Sequence, residues 1–377
     1  MPSRILITGF GVVSSIGRGK EESLVALREG RRALATPRYL KTSLMHLPVG
    51  EVDIPNRPGV PRTVLLGEMA LREAVTEAKL GPADLAKAAL ISGTTVGGMD
   101  LTESAFPANG GPHDCGSTTE AMADALGGFS MATTLSTACS SAANALILGA
   151  ELIHAGKAEI VAAGGSECLS DYHLNGFNSL MILDSELCRP FDKTRAGLNL
   201  GEGAAFLILE SEESVLKRGV KPIAELAGYA NACDAFHQTA SSPDGEGAFL
   251  AMQAALKMAG LQPGDVDYVN AHGTGTPNND PSESAALRRL FGDALPPVSS
   301  TKGLTGHTTS ASGSIEASFC LLAMQHSFLP ANAGWTEADP DCILPYTALG
   351  ESRSVNVALC NAFGFGGNDS SLCLKKV

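Results

Sequence analysis

Cys139 is the residue best placed to act as a nucleophile. It follows the Ser/Thr-containing run Leu-Ser-Thr-Ala and directly precedes a segment of small and apolar residues, 140–154, that reads as a buried helix. The unpaired N–H groups and the dipole at a helix N-terminus favour a thiolate, which is the reactive form of cysteine. A buried structural cysteine is the alternative, since cysteine is among the residues most often buried. A nucleophile at this place needs partners elsewhere in the chain.

Candidate partners lie in two glycine- and threonine-rich loops. His272 stands in Asn-Ala-His-Gly-Thr-Gly-Thr-Pro, and Lys302 and His307 share Thr-Lys-Gly-Leu-Thr-Gly-His. Glu316 follows nine residues after His307 in the next predicted helix. Loops at strand ends are where α/β proteins carry their functional residues. For each histidine taken singly, a purely structural hydrogen-bonding role is the alternative.

A third loop near the C-terminus, Asn-Ala-Phe-Gly-Phe-Gly-Gly-Asn, contains Phe363 and Phe365. Its glycine content is too high for a core strand, which indicates backbone amides close to a ligand. Two other motifs are assigned to structure. The run Asp280-Pro-Ser-Glu283 reads as the capped start of a helix. Gly9-Phe-Gly11 lacks the third glycine of a dinucleotide loop, so we expect no cofactor there.

Strand-like and helix-like runs alternate along the chain, which predicts a layered α/β architecture. The predicted strands are 4–9, 88–92, 159–163, 204–209, 266–270 and 355–359, and the predicted helices are 63–80, 140–154, 246–259, 281–291 and 314–325. Residues 137–153 resemble residues 308–324, a Ser/Thr loop followed by an Ala-rich helix. Two copies of one half-unit, joined near Lys221, would explain this likeness; chance similarity of Ala/Gly-rich segments is the alternative.

Composition narrows the possible partners and location. The 377 residues include 40 acidic and 27 basic side chains, a net charge of −13 that argues against nucleic acid as a partner. No apolar run reaches the roughly 20 residues of a membrane span. The nine cysteines are odd in number and include no CxxC pair, so we expect a reducing cytoplasm.

The motifs around Cys139, His272, Lys302, His307 and Phe363–Gly367 resemble, in this order, those of the β-ketoacyl-acyl-carrier-protein synthases of the elongating, Cys-His-His type. The runs Arg-Pro-Phe-Asp-Lys-Thr-Arg-Ala-Gly (189–197) and Gly-Glu-Gly-Ala (201–204) also resemble family segments, so the likeness covers essentially the whole chain. It implies the thiolase fold, with two similar αβαβα halves in a five-layered arrangement. Residues 1–220 would carry the nucleophile, and residues 221–377 the two histidines and the lysine.

The resemblance implies a reaction as well as a fold. Cys139 would take an acyl group from a carrier protein as a thioester, and decarboxylated malonyl-carrier protein would attack it. His272 and His307 would donate hydrogen bonds to the thioester oxygen of the malonyl group, where negative charge grows. The backbone N–H groups of Cys139 and Phe365 would form a second oxyanion hole. Lys302, paired with Glu316, would set the local charge.

Further residues have expected roles in binding. Phe365 would gate the acyl pocket beside Phe363, and we expect Phe177, Thr274 and Thr276 to contact substrate. The resemblance implies no metal or other cofactor. It implies acyl- and malonyl-loaded acyl carrier protein as partners, and a homodimer, with a heterodimer with a chain-length subunit as a second possibility.

Three departures from the family leave the pathway open between ordinary fatty-acid and specialised polyene or polyketide elongation. The stretch between Gly97 and Cys139 is short, Met181 stands where relatives have an arginine associated with carrier docking, and the closing loop reads Gly-Gly-Asn-Asp where Gly-Gly-Thr-Asn is commoner. Candidates for carrier docking here are Arg62, Lys193 and Arg195, with solvated surface charge as the alternative.

Two other functions are alternatives to catalysed condensation. A non-catalytic chain-length subunit usually lacks the nucleophile, and a degradative thiolase needs a second cysteine near the last glycine loop, where Cys360 lies close by.

Overall fold

The computed structural model describes residues 4–105 and 114–377, which form a mixed sheet with helices packed on its faces. The strands are β1 (Ile5–Ser14), β2 (Ala89–Gly93), β3 (Met131–Leu135), β4 (Ile160–Glu167), β5 (Gly203–Ser211), β6 (Ala224–Cys233), β7 (Tyr268–Asn270), β8 (Val298–Ser299), β9 (Val357–Gly364) and β10 (Asn368–Lys376). The helices are α1 (Lys20–Glu29), α2 (Arg62–Glu77), α3 (Pro82–Leu85), α4 (Met99–Ala105), α5 (Gly116–Ala125), α6 (Ser141–His154), α7 (Asp171–Ser179), α8 (Glu212–Arg218), α9 (Glu246–Ala259), α10 (Asn279–Phe291), α11 (Lys302–Thr305) and α12 (Ser312–His326).

The sheet divides into two halves with the same internal order. The ten strands run β3-β2-β4-β5-β1-β6-β10-β9-β7-β8, and β1 and β6 pair through only two residue pairs. Counted outward from this junction, the first half reads β1-β5-β4-β2-β3 and the second β6-β10-β9-β7-β8. In each half the first two pairings are antiparallel and the last two parallel. The likeness of segments noted in the sequence therefore extends to strand order and direction.

Helices complete a five-layered stack. Helices α6 and α12 contact each other between the two half-sheets, and α12 touches strands of both halves. Helix α2 covers the outer face of the first half-sheet, and α9 covers that of the second. Every residue of α12 from Ser312 to Met324 is buried, which explains why its small and apolar residues occupy all faces. This arrangement confirms the predicted thiolase-type fold. The division at residues 220 and 221 stays a prediction, which the strand order supports.

Gly9 and Gly11 belong to strand β1 and lie against helix α2. A Cβ atom on Gly9 would overlap the carbonyl oxygen of Ala74, and one on Gly11 would overlap that of Ala70. Glycine is needed here because the helix backbone approaches the strand too closely for a side chain. The glycines of this segment therefore serve helix–sheet packing.

The elements predicted from periodicity are present, with shifted ends. Strand β1 continues to Ser14, five residues beyond the prediction, and β7 begins two residues later than predicted. The sequence analysis did not identify the remaining elements, which are β3, β6, β8, β10, α1, α3, α4, α5, α7, α8 and α11. In the described part of the chain, no helix combines the length and the apolar character needed to cross a membrane.

Candidate active site

The loop that carries Cys139 is a strained turn held by its own side chains. It connects β3 to α6, and Ala138 has φ 53°, a left-handed conformation that costs a non-glycine residue about 1–3 kcal/mol. The hydroxyl of Ser141 accepts from the Thr137 N–H at 2.9 Å and donates to the Ala138 carbonyl at 2.6 Å. These bonds place the cysteine at the start of α6, where it is 6% exposed.

Burial of Cys139 opposes the thiolate that the helix N-terminus favours. Burial raises the pKa of the Cys139 thiol to about 12, while the Lys302 charge and the Phe365 backbone N–H act in the opposite direction. Removing a charged sulfur from water therefore outweighs the favourable field at the helix N-terminus. The free protein holds a neutral thiol. The nearness of the Phe365 N–H to this sulfur is nevertheless the arrangement that an oxyanion hole requires.

The His272 loop is fixed by two carboxylates from the helix that follows it. Glu283 accepts the backbone N–H groups of His272 at 2.9 Å and Gly273 at 2.8 Å, and Asp280 accepts that of Gly275 at 3.1 Å. The interpretation of Asp280 and Glu283 as helix caps is wrong, because α10 starts before Asp280 and both acids bind another loop. Burial raises the pKa of both carboxyls, and these backbone donors oppose that rise.

His307 lies against His272 across the site. The ring centroids are 5.2 Å apart and the planes meet at 85°. The backbone N–H of His307 donates to Asn199 O at 2.7 Å, and its Nδ1 lies 3.0 Å from Ser312 Oγ. Phe363 packs against His272 at 5.6 Å between ring centroids. The two loops of the second half thus bring both imidazoles to one place.

Both imidazoles are neutral in the resting site. Burial, and next the nearby Lys302 ammonium, hold the pKa of His272 and of His307 well below the usual range for histidine. A neutral imidazole has one N–H and one acceptor nitrogen. If Nδ1 of His307 accepts from Ser312, the remaining proton is on Nε2. Within the described residues, the Nδ1 atom of His272 has no hydrogen-bond partner.

Lys302 and Glu316 form the expected ion pair behind the histidines. The Nζ–Oε1 distance is 2.5 Å, and the residues are 1% and 3% exposed. Burial raises the pKa of Glu316 to about 7, although Lys302 favours the carboxylate. The second carboxylate oxygen has no partner in the described part of the chain, which agrees with this direction. Neither residue lines the cavity, and the Lys302 charge acts to lower the pKa of Cys139, His272 and His307.

A cavity of about 280 Å³ joins most of the predicted residues. Its lining includes the nucleophile, both histidines and the expected substrate contacts: Cys139, Phe177, His272, Thr274, Thr276, His307, Phe363 and Phe365. In this lining, the ring centroids of Phe177 and Phe365 are 5.9 Å apart and the rings are stacked. The hydroxyls of Thr274 and Thr276 lie 2.9 Å apart.

Three residues at the site were not identified from the sequence. His173 packs edge-on against Phe177, with the ring centroids 5.2 Å apart. The electrostatic effect of the His173 ring also lowers the pKa of His307. Glu167 accepts hydrogen bonds from Thr94 and Ser310 beside the cysteine loop, and Asp369 lines the cavity. Glu167 is the last residue of a fully buried strand. Because acidic residues are rarely buried, an acid at the end of an apolar strand could have indicated this residue from the sequence.

The three cations considered for carrier docking have other roles in this chain. The prediction that Arg62 docks the carrier is wrong, because this residue is 4% exposed and forms a buried ion pair with Glu202. Arg195 is mostly covered and pairs with Asp339 at 2.5 Å. Lys193 is exposed but is engaged by Glu337. The described residues contain no group of three or more His, Cys, Asp or Glu side chains that could hold a metal.

Fold and site together define an acyl-transfer enzyme of the thiolase type, with a cysteine and two neutral histidines around one cavity. Comparison with known proteins agrees. The β-ketoacyl synthase N-terminal domain profile matches residues 61–214, and the C-terminal domain profile matches residues 223–336. The chain belongs to the β-ketoacyl synthase family, whose members are acyltransferases that condense acyl units.

Similar proteins match along the whole chain. Nodulation protein E of Rhizobium meliloti (strain 1021) is 35% identical over 406 residues, covering 100% of both chains. The 3-oxoacyl-(acyl-carrier-protein) synthase 2 of Synechocystis sp. (strain ATCC 27184 / PCC 6803 / Kazusa) is 35% identical over 408 residues, covering 99% of this chain and 98% of the relative. A solved structure, described as the ishigamide ketosynthase/chain length factor, is 33% identical with a TM-score of 0.92 and covers 100% of both chains.

Proposed function

We propose that this chain elongates acyl chains by decarboxylative condensation, with Cys139 as the acyl-bearing nucleophile. The observation that carries the proposal is the convergence of the Cys139 thiol, two neutral imidazoles and the Phe365 backbone N–H on one cavity. The substrates are an acyl group and a malonyl group, each carried as a thioester on an acyl carrier protein.

The first half-reaction is a thioester exchange. The Cys139 sulfur attacks the carbonyl carbon, the carrier thiolate leaves, and the thiol proton ends on that carrier sulfur. Backbone N–H groups of Cys139 and Phe365 stabilise the tetrahedral oxyanion. A Cβ on Gly364 would stand 3.2 Å from Cys139 N, which supports this pairing because the two backbones meet without a side chain between them.

The second half-reaction forms the carbon–carbon bond. The malonyl thioester loses carbon dioxide, and its electron pair passes to an enolate whose oxygen accepts hydrogen bonds from His272 and His307. A neutral imidazole suits this role because its N–H donates a hydrogen bond but is too weak an acid to protonate the enolate before it attacks. The enolate carbon attacks the acyl-cysteine and the carbon–sulfur bond breaks. The released Cys139 thiolate takes a proton from solvent, which restores the thiol as the β-ketoacyl carrier leaves. Lys302 and Glu316 orient and polarise the histidines without contacting substrate.

We infer a homodimer that forms through strand β3, with a heterodimer as the second possibility. This strand is the outer edge of the first half-sheet, and Met131 on it is 40% exposed. An unpaired edge offers backbone donors and acceptors to a second chain. The name of the solved relative pairs a ketosynthase with a chain length factor, which supports the heterodimer. The nine free thiols support a cytoplasmic location.

Two alternative functions are less well supported. A chain-length subunit needs no nucleophile, whereas Cys139 here faces both histidines across a cavity. A thiolase would need its second cysteine in the same cavity. Cys360 is 1% exposed inside β9, and its thiol lies 3.9 Å from Gly313 O, behind the site.

The proposal is tested by supplying acyl- and malonyl-carrier proteins and following β-ketoacyl product and released carbon dioxide. We expect both from the wild-type protein, and no product from Cys139→Ala. A folded wild-type protein that gives neither product nor carbon dioxide with carriers of any chain length would favour the non-catalytic subunit. Product formation by Cys139→Ala would refute the role of the cysteine.

A further inference from the structure

One wall of the cavity contains a buried acid that the condensation does not use. Asp369 lines the cavity at the start of β10 and is only 5% exposed. Among the residues that the structure describes, none forms a hydrogen bond with its carboxyl group. A buried carboxylate without donors is costly, so this group favours its neutral form.

A second acid faces Asp369 across the same wall. A Cβ on Gly247 would overlap Asp369 Oδ2 and stand 2.8 Å from Asp234 Cβ, which places the two acids next to each other. The acids that act on Asp369 are Asp234, from the loop after β6, and Glu283, from α10. Strands β6 and β9 face it with Ala232 and Phe363, and α9 faces it with Gly247. No cation therefore offsets a charge on Asp369 from these elements.

Burial, and next the charges of Asp234 and Glu283, raise the pKa of Asp369 to about 7. The group is therefore neutral in mildly acidic solution and ionised in mildly basic solution. Asp369 therefore gives the cavity wall a charge that changes near neutral pH.

Each acid lies in or next to a loop at the cavity. Asp234 begins the first loop, residues 234–242, and Asp369 in β10 directly follows the second, the glycine loop at residues 364–368, which includes Phe365. A single backbone hydrogen bond, from Gly366 N to Gln238 O at 2.9 Å, joins them, and a Cβ on Gly367 would stand 2.5 Å from Asp234 Oδ1. Ala235 has φ 48°, so the first loop already carries backbone strain.

We propose that the charge on Asp369 sets how tightly the 234–242 loop and the glycine loop close over Cys139. The neutral carboxyl leaves the loops together; the carboxylate repels Asp234, separates the loops and moves Phe365 away from the cysteine. Access to the thiol therefore rises with pH through neutrality, beyond the rise that thiol ionisation itself produces. The proposal rests on the proposed function only in taking this cavity as the route to Cys139.

The first test measures access without catalysis. Alkylation of Cys139 by iodoacetamide is followed by peptide-resolved mass spectrometry for wild type and Asp369→Asn, from pH 6 to pH 8.5. Thiol ionisation is common to both proteins and cancels in the ratio of their rates. We expect a ratio near 1 at pH 6 that grows to at least about threefold at pH 8.5. A ratio that does not change with pH would overturn the proposal.

The second test measures the ionisation of Asp369 through its effect on stability. A carboxyl whose pKa is raised by folding stabilises the folded state below its unfolded pKa of about 4, and this stabilisation is lost as the pH rises to about 7. The melting temperature of the wild type relative to Asp369→Asn should therefore fall between pH 5 and pH 8. Asp293→Asn, a change at an exposed acid far along the chain, should follow the wild type. Parallel curves for all three proteins would contradict the inferred charge.

Asp234→Asn provides a second variant if Asp369→Asn does not fold. It removes the other charge and should flatten the same pH dependence of labelling, and an unflattened profile would count against the proposal. These measurements need no carrier protein or turnover. A protein that shows the pH-dependent access but no condensation would refute the proposed function and leave this inference standing.

Discussion

The starts of helices α6 and α12 are built alike, yet only one of them opens onto the cavity. Residue 138 and residue 309, at matching places in the repeated segments, have the same left-handed backbone, with φ 53° at Ala138 and 47° at Thr309. Cys139 and Ser310 follow them as matching residues. The strained turn and the helix N-terminus are therefore properties of the repeated fold and do not by themselves make a nucleophile.

The surroundings of the two residues differ. Cys139 lines the cavity beside two imidazoles, whereas Ser310 is fully buried and donates its hydroxyl to Glu167 at 2.5 Å. The matching serines of the next turn differ as well. Ser141 braces its own loop, and Ser312 bonds the His307 ring. One copy of the motif thus presents the nucleophile, and the other supports its partners.

The largest effect should come from the nucleophile itself. Cys139→Ser keeps the shape of the turn but replaces the thiol with a much weaker nucleophile that has no positioned base. We expect condensation to fall at least about a thousandfold, measured as β-ketoacyl product per enzyme. Activity of Cys139→Ser within tenfold of the wild type would contradict the role of Cys139 as the nucleophile, which distinguishes the α6 turn from the α12 turn.

The buried ion pair of the second half should matter most for stability. Lys302→Met leaves the Glu316 carboxyl buried without its cation and should lower the free energy of unfolding by about 3–5 kcal/mol in a denaturant titration. The double variant with Glu316→Gln removes the stranded charge and should recover part of this loss. Exposed ion pairs contribute only about 0–1 kcal/mol to stability. A free energy of unfolding for Lys302→Met within about 1 kcal/mol of the wild-type value would therefore contradict the buried pairing.

His307→Ala should separate the two half-reactions. Loss of one positioned donor should slow malonyl decarboxylation by about 10²–10³-fold, while transfer of acyl groups to Cys139 stays close to the wild-type rate. His326→Ala, at the far end of α12, is the matched control and should change neither rate. Equal loss of acyl loading and malonyl decarboxylation in His307→Ala would contradict a specific role of His307 in the second half-reaction.

The smallest effect is expected at the matching serine. Ser310→Ala removes one of several donors to Glu167 and should cost about 1–2 kcal/mol of stability. Condensation should remain within about threefold of the wild type, since Ser310 does not line the cavity. A loss as large as that of Cys139→Ser would show that both turns take part in the chemistry.

Much of this architecture was predictable because buried strands and Ala-rich helices are strongly patterned. The residue types of the three glycine-containing loops also indicated the site, and the structure brings His272, His307, Phe363 and Phe365 from these loops to one cavity, with Lys302 behind them. Strand β6 was not predicted, because its Ala-rich sequence has few large apolar residues and no clear apolar period.

Properties that depend on contacts between distant segments could not be predicted from the sequence. The neutral thiol of Cys139 results from burial by segments far apart in the chain. The partners of Asp280 and Glu283 are backbone N–H groups of a different loop, which local capping patterns do not reveal. Asp369 and Asp234 are likewise neighbours only in the folded chain, so their sequence positions do not indicate the acid pair.

The central claim is that Cys139 carries the acyl chain. It is tested most directly by intact-mass measurement after incubation with a panel of acyl-carrier proteins of different chain length. The account predicts that the wild type gains the mass of one acyl group and that Cys139→Ala, correctly folded, gains none. No adduct on the folded wild type with any chain length, or an adduct that persists in Cys139→Ala, would contradict it.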